Sequence, residues 1–152
     1  MNPELHSSSK NAEAMNTRGL RHLQAGRNDL AESDFKSAIV IDSNFVAAWG
    51  NLINCQRAMG KSDDAIVTAQ SGISLGIENA DLHNNYGSVL FGLGQFEFAL
   101  SEFKKAVGIN PSHSVAQLNI IKSFFCLNQS FNAVDYAGKI KLPEQIETPL
   151  LR

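Results

Sequence analysis

Two cysteines and one tryptophan in 152 residues leave little material for a covalent scaffold. Cys55 and Cys126 are too few for a small disulfide-stapled fold. No apolar run approaches the roughly 18 residues that a membrane-spanning helix needs, so membrane insertion is not expected. Neither sign of charge dominates: 13 Lys and Arg stand against 15 Asp and Glu, a formal net charge of −2. A nucleic-acid binder usually carries a basic patch or stripe, and nucleic acid is therefore not expected as a partner. The first ten residues, Met1 to Lys10, hold neither a basic region nor an apolar stretch. No secretory signal is read there, and the expected location is cytoplasmic.

Catalytic and metal signatures are also missing. His6, His22, His83 and His113 are scattered, and none pairs with a Cys or another His at zinc-ligand spacing. Gly92-Leu93-Gly94 lacks the third Gly and the preceding strand of a phosphate loop. Asn128-Gln129-Ser130 fits a glycosylation acceptor, most simply by chance. No enzymatic activity, cofactor or metal is expected.

Asparagine, by contrast, is plentiful, with fourteen copies, several of them at a fixed interval. The interval is 34 residues. Gly26, Gly60 and Gly94 share a column that ends in Asn128. Other columns are Ala31, Ala65, Ala99 and Ala133; Phe35, Ala69, Phe103 and Ala137; Ala38, Gly72, Ala106 and Ile140. Upstream run Arg18, Leu52, Tyr86 and Ile120, and beside them Met15, Trp49, His83 and Gln117. Ala31, Phe35, Ala38 and Ile39 keep the spacing of one buried helical face. The central Gly, with Asn as its nearest substitute, ends the first helix of each pair. The spacing predicts helices near 12–25, 28–41, 46–59, 62–75, 80–93, 96–109, 114–127 and 130–140.

These columns resemble the tetratricopeptide repeat family. Residues 80–113 fit best, through Tyr86-Gly87, Gly94, Phe96, Ala99, Phe103, Ala106 and Pro111. The second unit departs from the pattern at Ile53 and Gly72, and the fourth lacks both of the family's Gly positions. The resemblance implies an all-α, right-handed superhelical solenoid with repeats at 12–45, 46–79, 80–113 and 114–141. Residues 1–11 are expected as a flexible arm and 142–152 as a tail or lid.

In this family the first helix of each pair lines a concave groove. The resemblance therefore places Asn16, Thr17, Asn51, Asn54, Asn84, Asn85, Ser88, Phe91, Asn119, Lys122 and Phe125 on that face. Asn51, Asn85 and Asn119 stand 34 apart, with Thr17 at the equivalent first position. Each Asn offers an acceptor and two donors, enough to hold a peptide group. Packed helices lie about 8–10 Å apart and an extended chain rises about 3.3 Å per residue, so one rung would meet about every third residue. The arrangement is similar to the Asn ladder of the O-linked N-acetylglucosamine transferases. The same amides are equally suited to bonding neighbouring helices. Leu20, Leu23, Phe91 and Phe125 read either as pockets for ligand side chains or as helix packing.

A basic clamp for acidic C-terminal tails, used by other members of the family, is not expected. The corresponding columns hold Asn16, Leu20, Asn51, Asp81 and Asn85, with no Lys or Arg. The expected function is a non-enzymatic protein-interaction module that binds an extended segment of a partner. Two alternatives stay open: a self-assembling scaffold, with homo-oligomer contacts through an apolar C-terminal end, and the recognition arm of a larger transferase. Val134, Ile140, Leu142, Ile146, Leu150 and Leu151 make up that apolar end.

Overall fold

The computed structural model describes residues 3–140. These form eight helices in chain order: α1 (Pro3–Gln24), α2 (Asn28–Ile41), α3 (Val46–Ala58), α4 (Ser62–Ser74), α5 (Ala80–Gly92), α6 (Phe96–Ile109), α7 (Ser114–Cys126) and α8 (Ser130–Lys139). Seven follow the 34-residue periodicity closely. The exception is α1, which begins at Pro3 and takes in most of the stretch expected as a flexible arm. Proline suits the first position of a helix, where its missing N–H has no intrahelical partner anyway. The three serines that follow cost only tenths of a kcal/mol each and do not stop a helix. The expected tail at 142–152 lies outside the described residues.

Four turns within pairs share one mechanism. Gly26, Gly60 and Gly94 lie at φ of 71°, 73° and 74°, and Asn128 substitutes at 57°. In each, the next backbone N–H returns to a carbonyl five residues earlier: Arg27 to His22, Lys61 to Gln56, Gln95 to Leu90 and Gln129 to Phe124. This bond satisfies a carbonyl that the ending helix would leave open.

The departure at Ile53 is matched by a change across the helix pair. A Cβ on Gly19 would stand 2.6 Å from Phe35, and one on Gly87 would stand 2.6 Å from Phe103. The second repeat reverses the sizes, with a fully buried Ile53 in the glycine column and Ala69 in the phenylalanine column. The fourth carries Ile121 and Ala137 in the same columns. Large meets small in every repeat, so the volume between paired helices is conserved while its owner alternates.

Curvature follows from which helices touch. Successive first helices meet, α1 with α3, α3 with α5 and α5 with α7, whereas α2, α4, α6 and α8 make no comparable contacts with one another. The first helices therefore crowd the inner side of the solenoid and the second helices splay on the outer side. The sequence-predicted groove residues all belong to this inner layer.

Candidate functional site

The inner face is floored by small residues where α3 meets α5. A cleft of about 470 Å³ is lined by Val46, Ala47, Gly50, Asn51 and Asn54 on one side and Asn79, Asp81, Leu82 and Asn85 on the other. Gly50 matters here because a Cβ at that position would come within 3.2 Å of the Asn85 amide nitrogen. Asn51, Asn54 and Asn85 are brought together in this cleft, while Asn119 stands one repeat further along on α7.

Each ladder asparagine uses its amide group to hold the preceding first helix. Asn51 Nδ2 donates to Asn16 Oδ1 at 2.8 Å, and Asn119 Nδ2 donates to Asn84 Oδ1 at 3.1 Å. Asn85 Nδ2 reaches the Gly50 carbonyl at 3.4 Å, since Gly50 occupies the column that holds Asn16 and Asn84 in the repeats on either side. Asn16 and Asn84 are buried beneath the ladder at 7% exposure. Bonding between helices thus fixes the amide orientation. It leaves the Oδ1 atoms of Asn51, Asn85 and Asn119 without a partner among the described residues, on half-buried side chains.

The surrounding residues divide into packed and open. Ser88 donates its hydroxyl to the Asn84 carbonyl at 2.8 Å. Phe91 meets Phe96 edge-on, with centroids 5.1 Å apart, and Leu23 packs on the cluster of Ala31, Phe35, Leu52 and Cys55. Thr17, Leu20, Lys122 and Phe125 are exposed, Phe125 to 50%. No Lys or Arg lines the cleft; its charged member is Asp81, on the rim. Asp81 accepts from Nε2 of His113 at 3.0 Å, while His113 Nδ1 accepts the Ala116 N–H at the start of α7. That second bond assigns the ring proton to Nε2.

Buried charged groups also escaped the sequence reading, among them Asp34, which accepts from Arg18 Nε at 2.9 Å, together with Glu32 and the His83–Glu102 pair. Glu32 is held by Lys36 and Lys61, each at 2.7 Å, and faces Gln56 Nε2 at 3.3 Å. These bonds lower its carboxyl pKa to about 2. His83 Nδ1 meets Glu102 Oε2 at 2.7 Å between α5 and α6. Both tie helices together, and both lie away from the inner cleft. Glu32 shares its column with Ile66, Leu100 and Val134, which hides it from periodicity, whereas the column of Glu102 also holds Asp34 and Thr68, all three buried and polar. No cluster of three or more His, Cys, Asp or Glu with metal-binding geometry occurs among the described residues.

Residues 80–113 match the model of the tetratricopeptide repeat. The match covers one of the four helix pairs, the one formed by α5 and α6. Solved structures with the same repeat solenoid include MamA, with 23% identity, 85% of this chain and 75% of that chain covered and a TM-score of 0.74. They also include Pseudomonas aeruginosa pilF, with 21% identity, 88% and 61% covered and a TM-score of 0.77. The first tetratricopeptide domain of Spaghetti (RPAP3), bound to the HSP90 peptide SRMEEVD, has 17% identity, 79% and 95% covered and a TM-score of 0.71. At these identities the likeness carries the fold. An uncharacterized protein of Haemophilus influenzae is 26% identical over 88 residues, and the chain spans about half its length, 49%. No described helix of this repeat solenoid is long and apolar enough to cross a membrane.

Proposed function

We propose that this protein is a non-enzymatic interaction module whose inner face binds an extended segment of a partner protein through the partner's backbone. The observation that carries this reading is the row of ladder amides. Asn51 and Asn85 flank one cleft with their orientation fixed and an acceptor each left over. Backbone N–H groups of an extended chain are the natural donors to such acceptors. The structural neighbour RPAP3, which holds an HSP90 peptide, supports peptide binding by this architecture. The present cleft has a different charge, with no cation on its lining and Asp81 on its rim. It suits an uncharged segment better than an acidic tail.

The test is capture of a partner from the native lysate by three proteins: wild type, the triple variant Asn51→Ala/Asn85→Ala/Asn119→Ala, and Glu32→Gln. Glu32→Gln loses inter-helix bonds away from the inner cleft and leaves the ladder and its partners in place, and so controls for stability. A partner held by wild type and Glu32→Gln, and lost by the triple variant, would locate the ligand on the ladder. Equal capture by all three would move the binding surface elsewhere.

A further inference from the structure

Charge is spread unevenly along the solenoid. Between Lys61 and Lys104 the sequence holds no Lys or Arg, but it holds Asp63, Asp64, Glu78, Asp81, Glu97 and Glu102. Glu102 is buried against His83 and Lys105, and the other five are exposed. One of the five lines the inner cleft. Asp81 stands on the rim between α3 and α5, one helical turn before the ladder residue Asn85. The α3 wall of that cleft offers Val46, Ala47, Gly50, Asn51 and Asn54, none of them charged.

The Asp81 carboxylate is oriented but not neutralised. His113 Nε2 donates to its Oδ1 at 3.0 Å, while Nδ1 of the same ring accepts the Ala116 N–H. A ring that accepts at one nitrogen and donates at the other is uncharged. The His113 side chain is 10% exposed and acts as a fixed post, whereas that of Asp81 is 77% exposed. No Lys or Arg among the described residues pairs with Asp81, and its Oδ2 has no partner there. Its column neighbours on the adjacent first helices, Ala47 of α3 and Val115 of α7, are apolar. An acid in a first turn also favours the helix dipole, yet α3 and α7 do without one. The dipole accounts for neither the histidine post nor the position on the cleft.

Resting on the reading that the ladder amides grip a partner's backbone, we infer that Asp81 selects a partner segment bearing a Lys or Arg side chain. The backbone of this segment, otherwise uncharged, meets Asn51 and Asn85, and its one cation settles on the open oxygen of Asp81. A carboxylate already held by His113 loses little freedom on binding. A hydrogen bond between opposite charges is stronger than a neutral one. The other exposed acids of this stretch add attraction at longer range, which favours the approach of a basic segment at low salt.

Random dodecapeptides are selected on full-length wild type, Asp81→Asn and the ladder variant Asn51→Ala/Asn85→Ala/Asn119→Ala, each shown by its melting curve to be folded at the selection temperature. Asn at position 81 keeps the oxygen that His113 bonds. Wild type is expected to enrich peptides with Lys or Arg at one fixed position. Their affinity should fall about fivefold or more on Asp81→Asn. On Asp81→Lys it should return when the basic residue of the peptide is replaced by Glu. The ladder variant should lose binding. Wild-type binders without a fixed basic residue, or binders held equally by wild type and Asp81→Asn, overturn the inference and leave the ladder reading standing. Binders kept by the ladder variant but weakened by Asp81→Asn overturn the ladder reading and keep Asp81 as the anchor. A selection that yields no binder to wild type overturns both.

Discussion

Phe103 lies against Gly87 so closely that a methyl group on the glycine would stand 2.6 Å from its ring. Replacing Gly87 by Ala is therefore expected to destabilise the protein by about 1–3 kcal/mol, the usual cost of overfilling a packed core. The second repeat shows the remedy, with Ile53 opposite Ala69. The double variant Gly87→Ile/Phe103→Ala should recover much of the loss relative to Gly87→Ile alone. Urea denaturation of the three variants checks this. A double variant no more stable than Gly87→Ile would mean that the columns do not compensate.

The ladder bonds should appear as pairwise couplings. Asn16→Ala and Asn51→Ala each remove one partner of the 2.8 Å bond between α1 and α3, at a cost of about 1 kcal/mol apiece. The double variant should cost less than the two together, by roughly 0.5 kcal/mol or more. Thermal or urea unfolding gives the cycle directly, and strict additivity would show that the bond contributes nothing.

Glu32 sets an acid limit. Hydrogen bonds from Lys36 and then Lys61 hold its carboxyl at about 2, below the ordinary 4.5. A lowered folded pKa means that the unfolded chain takes up the proton first, so the stabilisation is complete above 4.5 and is lost as pH falls towards 2. Wild type should lose stability across that window, and Glu32→Gln should be less stable at neutral pH but flatter through it. Stability curves against pH that run parallel for the two proteins would refute this role.

His113 does two jobs with one ring. Its Nδ1 caps α7 through the Ala116 N–H, and its Nε2 reaches Asp81 on α5. His113→Ala should cost about 1 kcal/mol through loss of the cap. Asp81→Ala should cost well under that, because the side chain of Asp81 is 77% exposed and exposed pairs contribute little. Melting temperatures of the two variants decide between cap and ion pair as the stabilising contact.

Helix positions were legible because the columns state them repeatedly: a glycine or Asn128 marks each turn, and the small residues mark each close approach. The start of α1 was not, since no second copy of residues 3–11 exists to compare. The ladder column was legible, but its bonding was not. Asn51 pairs with Asn16 and Asn119 with Asn84, each 35 residues apart, a diagonal step that a 34-residue alignment does not display. Gly50 breaks the diagonal, and only the three-dimensional arrangement shows Asn85 turning to its carbonyl instead. The Glu32 contact was hidden for a related reason: its column continues as Ile66, Leu100 and Val134, so no other repeat shows it.

Every helix contact among the described residues joins elements no more than two apart in the chain. Such a molecule has no early segment waiting for a late one. As it leaves the ribosome, each helix pair can bury its face as soon as the next first helix emerges, without long loops to close. The protein is thus suited to folding at the pace of its own synthesis, from the first repeat to the last.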